Sequence, residues 1–205
     1  MPTPLEIVTF GDAPAPEGLS PWVDGAAPST DVALEEHDPR WAGVFAQLEA
    51  RVREALGARA LVVEHVGSTA VPGLPAKPVV DVDLTVADPD DEEGYVPALV
   101  RAGFVLRVRE PWWYGHRLFG GTDVRTNLHV FGPDSAETMR HRIFRDWLRA
   151  HPADRDLYRD AKLAAAQHAS AAGEHVEEYN ARKQRVIREI YGRAFTAAGL
   201  IRQPS

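Results

Sequence analysis

The sequence predicts an α/β (α+β) protein, a mixed β-sheet flanked by helices with a C-terminal helical segment. Three observations carry this reading. Residues 60–66 and 79–86 have strand character, and in VVDVDLTV the apolar residues Val80, Val82, Leu84 and Val86 alternate with polar ones. Residues 38–57 and 93–102 repeat apolar side chains at helical spacing between strand segments, and residues 104–131 read as a β-meander. From residue 134 onward the pattern is helical throughout.

A chain of 205 residues is most simply one domain with a substantial core. Cysteine is absent, which excludes disulfides, thiolate metal sites and a cysteine nucleophile. No apolar run approaches the ~20 residues that span a bilayer, and no stretch resembles a signal peptide, so a cytoplasmic protein without a membrane partner is expected. The formal charge of −7 argues against broad nucleic-acid binding, yet leaves room for a small anionic substrate.

Taken in order, residues 1–32 form a Pro/Gly-rich N-terminal extension, followed by the main domain over 33–205. Within the extension only Leu5–Phe10 has strand character; Pro14, Pro16, Pro21 and Pro28 suggest an extended arm, with Trp22 as an anchor. A helix starts with Asp38 as N-cap and Pro39 at its first position, buries Trp41, Val44, Phe45, Leu48, Val52 and Leu56, and stops at Gly57. After the strands at 60–66 and 79–86, the acidic run at 88–93 reads as a solvated, dipole-favoured helix start, and the helix at 93–102 ends at Gly103. In the meander, Gly120, Gly121 and Asp123 supply the second hairpin turn, and Glu110–Gly115 is a loop exposing aromatic residues. Asp134 with Glu137 makes a capping-box-like start to a helix whose stripe is Met139, Ile143, Phe144, Trp147 and Leu148. Pro152 interrupts the chain. Helices over 153–172, ending at Gly173, and over 174–197 complete a C-terminal helical segment at about 134–199.

The stretch from 62 to 87 organises the chain's chemistry. Asp81 and Asp83 lie two apart on a strand and point the same way, an oxygen pair suited to Mg²⁺ or Mn²⁺. The Gly67-Ser68 turn before them can offer amides and a hydroxyl to a phosphate, with glycine permitting close approach of the backbone. Asn127 and His129 share one strand face; the imidazole can bind a metal, act as a general base or hydrogen-bond Asp83. Tyr158 with Lys162 and Tyr179 with Lys183 are each spaced i, i+4, so each pair faces one way and can grip a ring and a phosphate; packed tyrosines with snorkelling lysines explain the same spacing. Lys77 and Arg145 are further candidates for phosphate charge, with Arg142 and Arg149 near by, and His65 borders the Gly-Ser turn. A phosphate-binding G-x-x-x-x-G-K-[ST] loop, a G-x-S-x-G elbow and an H-E-x-x-H helix are all missing.

Gly67-Ser68, twelve intervening residues and then Asp81-Val82-Asp83-Leu84 resemble the signature of the nucleotidyltransferase superfamily. More narrowly, residues 64–86, Asn127–Phe131, Phe144–Pro152 and the tyrosine–lysine pairs resemble the GrpB family, over about residues 33–192. The resemblance implies a nucleotidyltransferase-like sheet and a third carboxylate on the strand that here carries His129 instead. The leading expectation is a metal-dependent nucleotidyl- or phosphoryl-transferase using a nucleoside triphosphate and a small acceptor. In it Asp81 and Asp83 hold the metal, Gly67 and Ser68 a phosphate, and His129 orients a ligand or accepts a proton. Two others compete: a nucleotide- or metabolite-binding module without turnover, favoured by the absent third carboxylate, and an accessory partner of a coenzyme A biosynthesis kinase.

Overall fold

A computed structural model describes residues 1–11, 15–27, 33–172 and 176–201, and its architecture is the expected mixed α/β one. Strands β1 (Val62–Val66), β2 (Val80–Thr85), β3 (Phe104–Glu110), β4 (His116–Gly121) and β5 (Thr126–Phe131) form one sheet in the order β1-β2-β5-β4-β3. β2 and β5 pair in parallel at the centre, and the other neighbours are antiparallel. Among the described residues no helix is long and apolar enough to cross a membrane.

Strand alternation divides the sheet into a dry face and a polar face. Val63, Val80, Val82, Leu84, Phe119, Leu128 and Val130 project to the dry face, where helices α2 (Arg40–Leu56) and α3 (Val96–Arg101) cover them with Trp41, Leu48, Val52, Leu56 and Leu99. Each fully buried aliphatic side chain there contributes about 1.5–3 kcal/mol, so this layer supplies much of the stability. The register on the polar face sets Val66 beside Asp81 and Asn127, and Glu64 beside Asp83 and His129. Helices α4 (Ala136–Ala150), α5 (Pro152–Ala172) and α6 (Val176–Ala197) lie on that side.

Local chemistry explains where the elements depart from expectation. The segment expected as a strand near residue 5 is a short helix, α1 (Pro4–Val8): Thr3 Oγ1 accepts the Glu6 N–H, and the Glu6 carboxylate accepts the Thr3 N–H at 2.6 Å, a complete capping box. α2 begins at Arg40 rather than Pro39, although the Asp38 carboxylate accepts the Arg40 N–H at 2.8 Å. The cap of α4 is Ser135, not Asp134, with Ser135 Oγ accepting the Glu137 N–H. The acidic run is not simply solvated: Glu92 receives Arg109 and Arg117, Asp90 receives Arg117, and α3 starts only at Val96.

Described residues of the N-terminal segment pack on the sheet and on α4. Trp22 bridges to Val108 at the free edge of β3, where Val23 donates to the Arg107 carbonyl at 3.0 Å and Arg109 to that of Pro21 at 2.8 Å. The aromatic loop 110–115 is half-buried rather than exposed, because Trp113 Nε1 donates to the Gly11 carbonyl at 2.7 Å and Tyr114 joins the cluster under α1. Pro14, Pro28 and Gly173 lie outside the described residues. Arg140, 1% exposed, pins α1: its guanidinium donates to the carbonyls of Ile7, Glu6 and Thr9 while pairing with Glu137. Arg140→Ala strips these carbonyls of their donor and leaves Glu137 uncompensated, so equilibrium urea unfolding should show a loss of roughly 2–4 kcal/mol. A loss below 0.5 kcal/mol would mean that solvent replaces the clamp.

Candidate functional site

The polar face is built outward from the Gly67-Ser68 turn. After β1 the chain turns at Gly67, with φ +68°, into a 3-10 turn over Ser68–Ala70. A Cβ on Gly67 would stand 2.2 Å from Asp81 Oδ2, so glycine is required here by the carboxylate itself, before any ligand enters. Asp81 Oδ1 accepts from Asn127 Nδ2 at 2.8 Å. Burial raises the Asp81 pKa against the opposing effects of Asn127, Lys77 and His141, and Asp83 adds to the rise.

Asp83 has a different environment. It is 3% exposed, and its oxygens lie 2.8 and 3.1 Å from His141 Nδ1. Against the opposing pull of burial, Asp83 and then Glu137 hold the His141 pKa well above the ordinary histidine range. His129 stands beside Asp83 in the strand register, but its Nδ1 is 3.0 Å from His116 Nε2. Burial holds His129 well below the ordinary range, assisted by His116 and His141, so it is neutral.

Between this face and helices α5 and α6 lies a cavity of about 330 Å³. Gly67, Ser68, Asp81, Asn127 and His129 form its sheet side. His141, both tyrosine–lysine pairs and Asn180 close the helical side, and Lys77 enters from the connection before β2. The two pairs therefore do face the cavity. Lys183 Nζ lies 4.0 Å from the Tyr179 ring centroid, and Lys162 Nζ lies 5.4 Å from that of Tyr158. Lys77 Nζ stands 5.5 Å from the Tyr179 ring. Burial depresses Lys183 to about 7, with the Lys77 charge adding and Asp81 opposing. Burial also holds Lys162 well below the ordinary lysine range, and Lys183 adds to that shift.

Three predicted groups fall elsewhere. Arg145 pairs with Glu64 and donates to the His65 carbonyl at 2.9 Å, tying α4 to β1 outside the main cavity. His65 is stacked 4.8 Å from Phe45 and lies 3.0 Å from Thr69 Oγ1; burial takes its pKa down to about 4. Asp83 does not line the cavity. Sequence reasoning missed His141, whose i, i+4 spacing from Glu137 was visible but whose partner Asp83 is distant in the chain. A metal centre would need donors that converge, and the fit is poor: Asp81 faces the cavity, Asp83 faces His141, and among the described residues no three His, Asp or Glu side chains form a metal-holding group.

A mixed sheet with a Gly-Ser turn leading into a strand that bears two carboxylates defines a nucleotidyltransferase-like protein. The chain belongs to the GrpB family, whose model, described as GrpB protein, matches residues 31–193. It is 47% identical over 166 residues to UPF0157 protein BH1888 of Halalkalibacterium halodurans, covering 81% of this chain and 84% of that one. It is 30% identical over 190 residues to a dephospho-CoA kinase of Mycolicibacterium paratuberculosis, covering 80% of this chain but only 46% of the kinase. The crystal structure of conserved protein GrpB from Enterococcus faecalis superposes with a TM-score of 0.70 at 26% identity, over 82% of this chain and 99% of that one.

Two outcomes test this geometry. Gly67→Ala should destabilise by at least about 2 kcal/mol through backbone strain and the collision with Asp81, whereas in an Asp81→Ala background only the strain remains. Additive losses in that double-mutant cycle would refute the contact. Lys183 bears on pH. Unfolded, it binds a proton below about 10.5; folded, only below about 7. Between those values the unfolded chain holds more protons, so this group makes stability rise with pH, and its penalty is full below about 7. Lys183→Met should thus stabilise the protein at pH 7 by roughly 1–3 kcal/mol and less at pH 10, read as the difference from wild type in thermal or urea unfolding. No gain at pH 7 would mean that the ammonium is well solvated.

Proposed function

We propose that the cavity binds a phosphorylated small molecule, with a nucleoside triphosphate as the leading candidate. One observation carries the reading: Lys77, Lys162 and Lys183 meet in a cavity where, among the described lining residues, Asp81 is the single carboxylate. Holding Lys162 and Lys183 at 2% and 7% exposure costs stability, and a polyanion offsets that cost by restoring their protons. Ser68 and the Gly67-Ser68 backbone lie at the same wall, where they can meet phosphate oxygens. The lysines supply the positive charge that a metal would otherwise bring.

Metal-assisted nucleotidyl or phosphoryl transfer to a small acceptor is the second reading. The close packing of the Gly-Ser turn on Asp81 favours it, but Asp83 would have to leave His141 to join a Mg²⁺ or Mn²⁺ site. The likeness to dephospho-CoA kinases adds dephospho-coenzyme A to the candidate ligands and a kinase of that pathway to the candidate partners.

Titration calorimetry with inorganic triphosphate, ATP, GTP, CTP, UTP and dephospho-coenzyme A, each with and without Mg²⁺, separates these readings. The lysine reading expects binding without metal, proton uptake visible as a buffer-dependent heat, and affinity that falls from pH 7 to 9. Lys162→Met or Lys183→Met should each weaken binding about tenfold or more, the scale of one lost charged contact. No binding to any of these ligands at millimolar concentration would sink the proposal. Strict Mg²⁺ dependence, abolished by Asp83→Asn, would select the transfer reading instead.

A further inference from the structure

Behind the cavity wall runs a line of groups that anion binding does not use. His116, in β4, has its Nε2 3.0 Å from His129 Nδ1 and its Nδ1 2.8 Å from Glu110 Oε2 at the end of β3. The His116 ring is 4% exposed and fixed by packing, stacked 4.8 Å from Phe131 and edge-on to Trp113 at 5.1 Å. The Glu110 side chain keeps 26% exposure. The line therefore runs from solvent, through a clamped imidazole, to His129 in the cavity wall.

Hydrogen-bond chemistry gives this line a direction. An ionised carboxylate only accepts, so Glu110 places the proton of an uncharged His116 on Nδ1. His116 then presents a lone pair at Nε2, which places the proton of His129 on Nδ1. The lone pair on His129 Nε2 is left for the cavity. The opposite tautomers would set a ring lone pair against the Glu110 oxygen and lose that hydrogen bond.

We propose that Glu110 and His116 are positioning residues that hold His129 as a proton acceptor toward the cavity, for a ligand bearing a hydroxyl near its phosphate. Only the phosphate part of that ligand class rests on the reading given above. When such a hydroxyl ionises, its O–H bond breaks and an N–H bond forms at His129 Nε2. The His129 Nδ1 proton passes to His116 Nε2, and the His116 Nδ1 proton passes to the Glu110 carboxylate, which becomes a carboxylic acid. The electron pair stays on the ligand oxygen, so one negative charge has moved from Glu110 into the cavity with the lysines. The other charged groups around His129 are His141 from α4, Asp83 from β2, and Asp81, Lys77, Lys162 and Lys183 across the cavity.

Nitrogen-15 NMR of the histidine rings in the ligand-free protein at neutral pH reads the arrangement directly. His129 and His116 should both carry the proton on Nδ1, with a pyridine-like Nε2 on His129. His116→Phe, which keeps the packing on Phe131 and Trp113, removes the acceptor and should shift His129 toward the Nε2–H tautomer. Should that variant fail to fold, Glu110→Ala, at a partly exposed side chain, should shift both rings in the same sense. An Nε2–H or doubly protonated His129 in the wild type, or unchanged ring shifts in the folded variants, would overturn the proposal. Failure of triphosphate to bind would leave the tautomer result standing and count only against the lysine reading.

Discussion

Two carboxylates on a buried sheet face set most of what surrounds them. An ionised carboxylate under a layer of helices costs several kcal/mol unless it is paired, so this face cannot be covered by an ordinary apolar layer. Asp83 is answered by His141, which α4 brings in together with Glu137. Asp81 is answered by Asn127 across the central parallel pair, and by lysines that share its cavity. The opposite face has no such obligation and is filled with valine, leucine and phenylalanine. Stability and chemistry are thus assigned to different sides of one sheet.

That division couples the ionisable groups on the polar side. Burial pushes Asp81 toward its neutral form and the two buried lysines toward theirs, so the cavity walls favour less charge than their residue types imply. Each ionised partner would favour the other, and the shifts caused by Asp81 on the lysines run in that direction. A bound anion would change protonation across the whole group.

Much of this was legible in the sequence wherever the information was local. Strand alternation placed Asp81, Asp83, Asn127 and His129 on one face, and helical spacing paired Tyr158 with Lys162 and Tyr179 with Lys183. The paired spacings alone did not say whether the lysines snorkel to solvent or enter a cavity, because that depends on how α5 and α6 pack. The partners of Asp83 and His129 were illegible for the same reason: His141 and His116 come from other elements, and no local pattern announces them. Arg145 pairs with Glu64 from β1, a partner that its charge and spacing did not announce. The helix at the N-terminus was a different kind of miss, since the Thr3–Glu6 capping box was present but only five residues of helix follow it.

The α5–α6 hairpin has a consequence for the order of folding. Lys162 and Lys183 reach Asp81 and Lys77 only across long stretches of chain, so their contacts close large loops and carry a high entropic cost before they form. The sheet with α2 and α3 already buries a core without the hairpin. A chain arrested at that stage would expose Asp81 and much of the polar face to water, where the carboxylate is better solvated than in the finished protein. Docking the hairpin therefore trades a comfortable surface for a demanding interior, so the last step of folding is the one on which the buried lysines and Asp81 weigh most heavily.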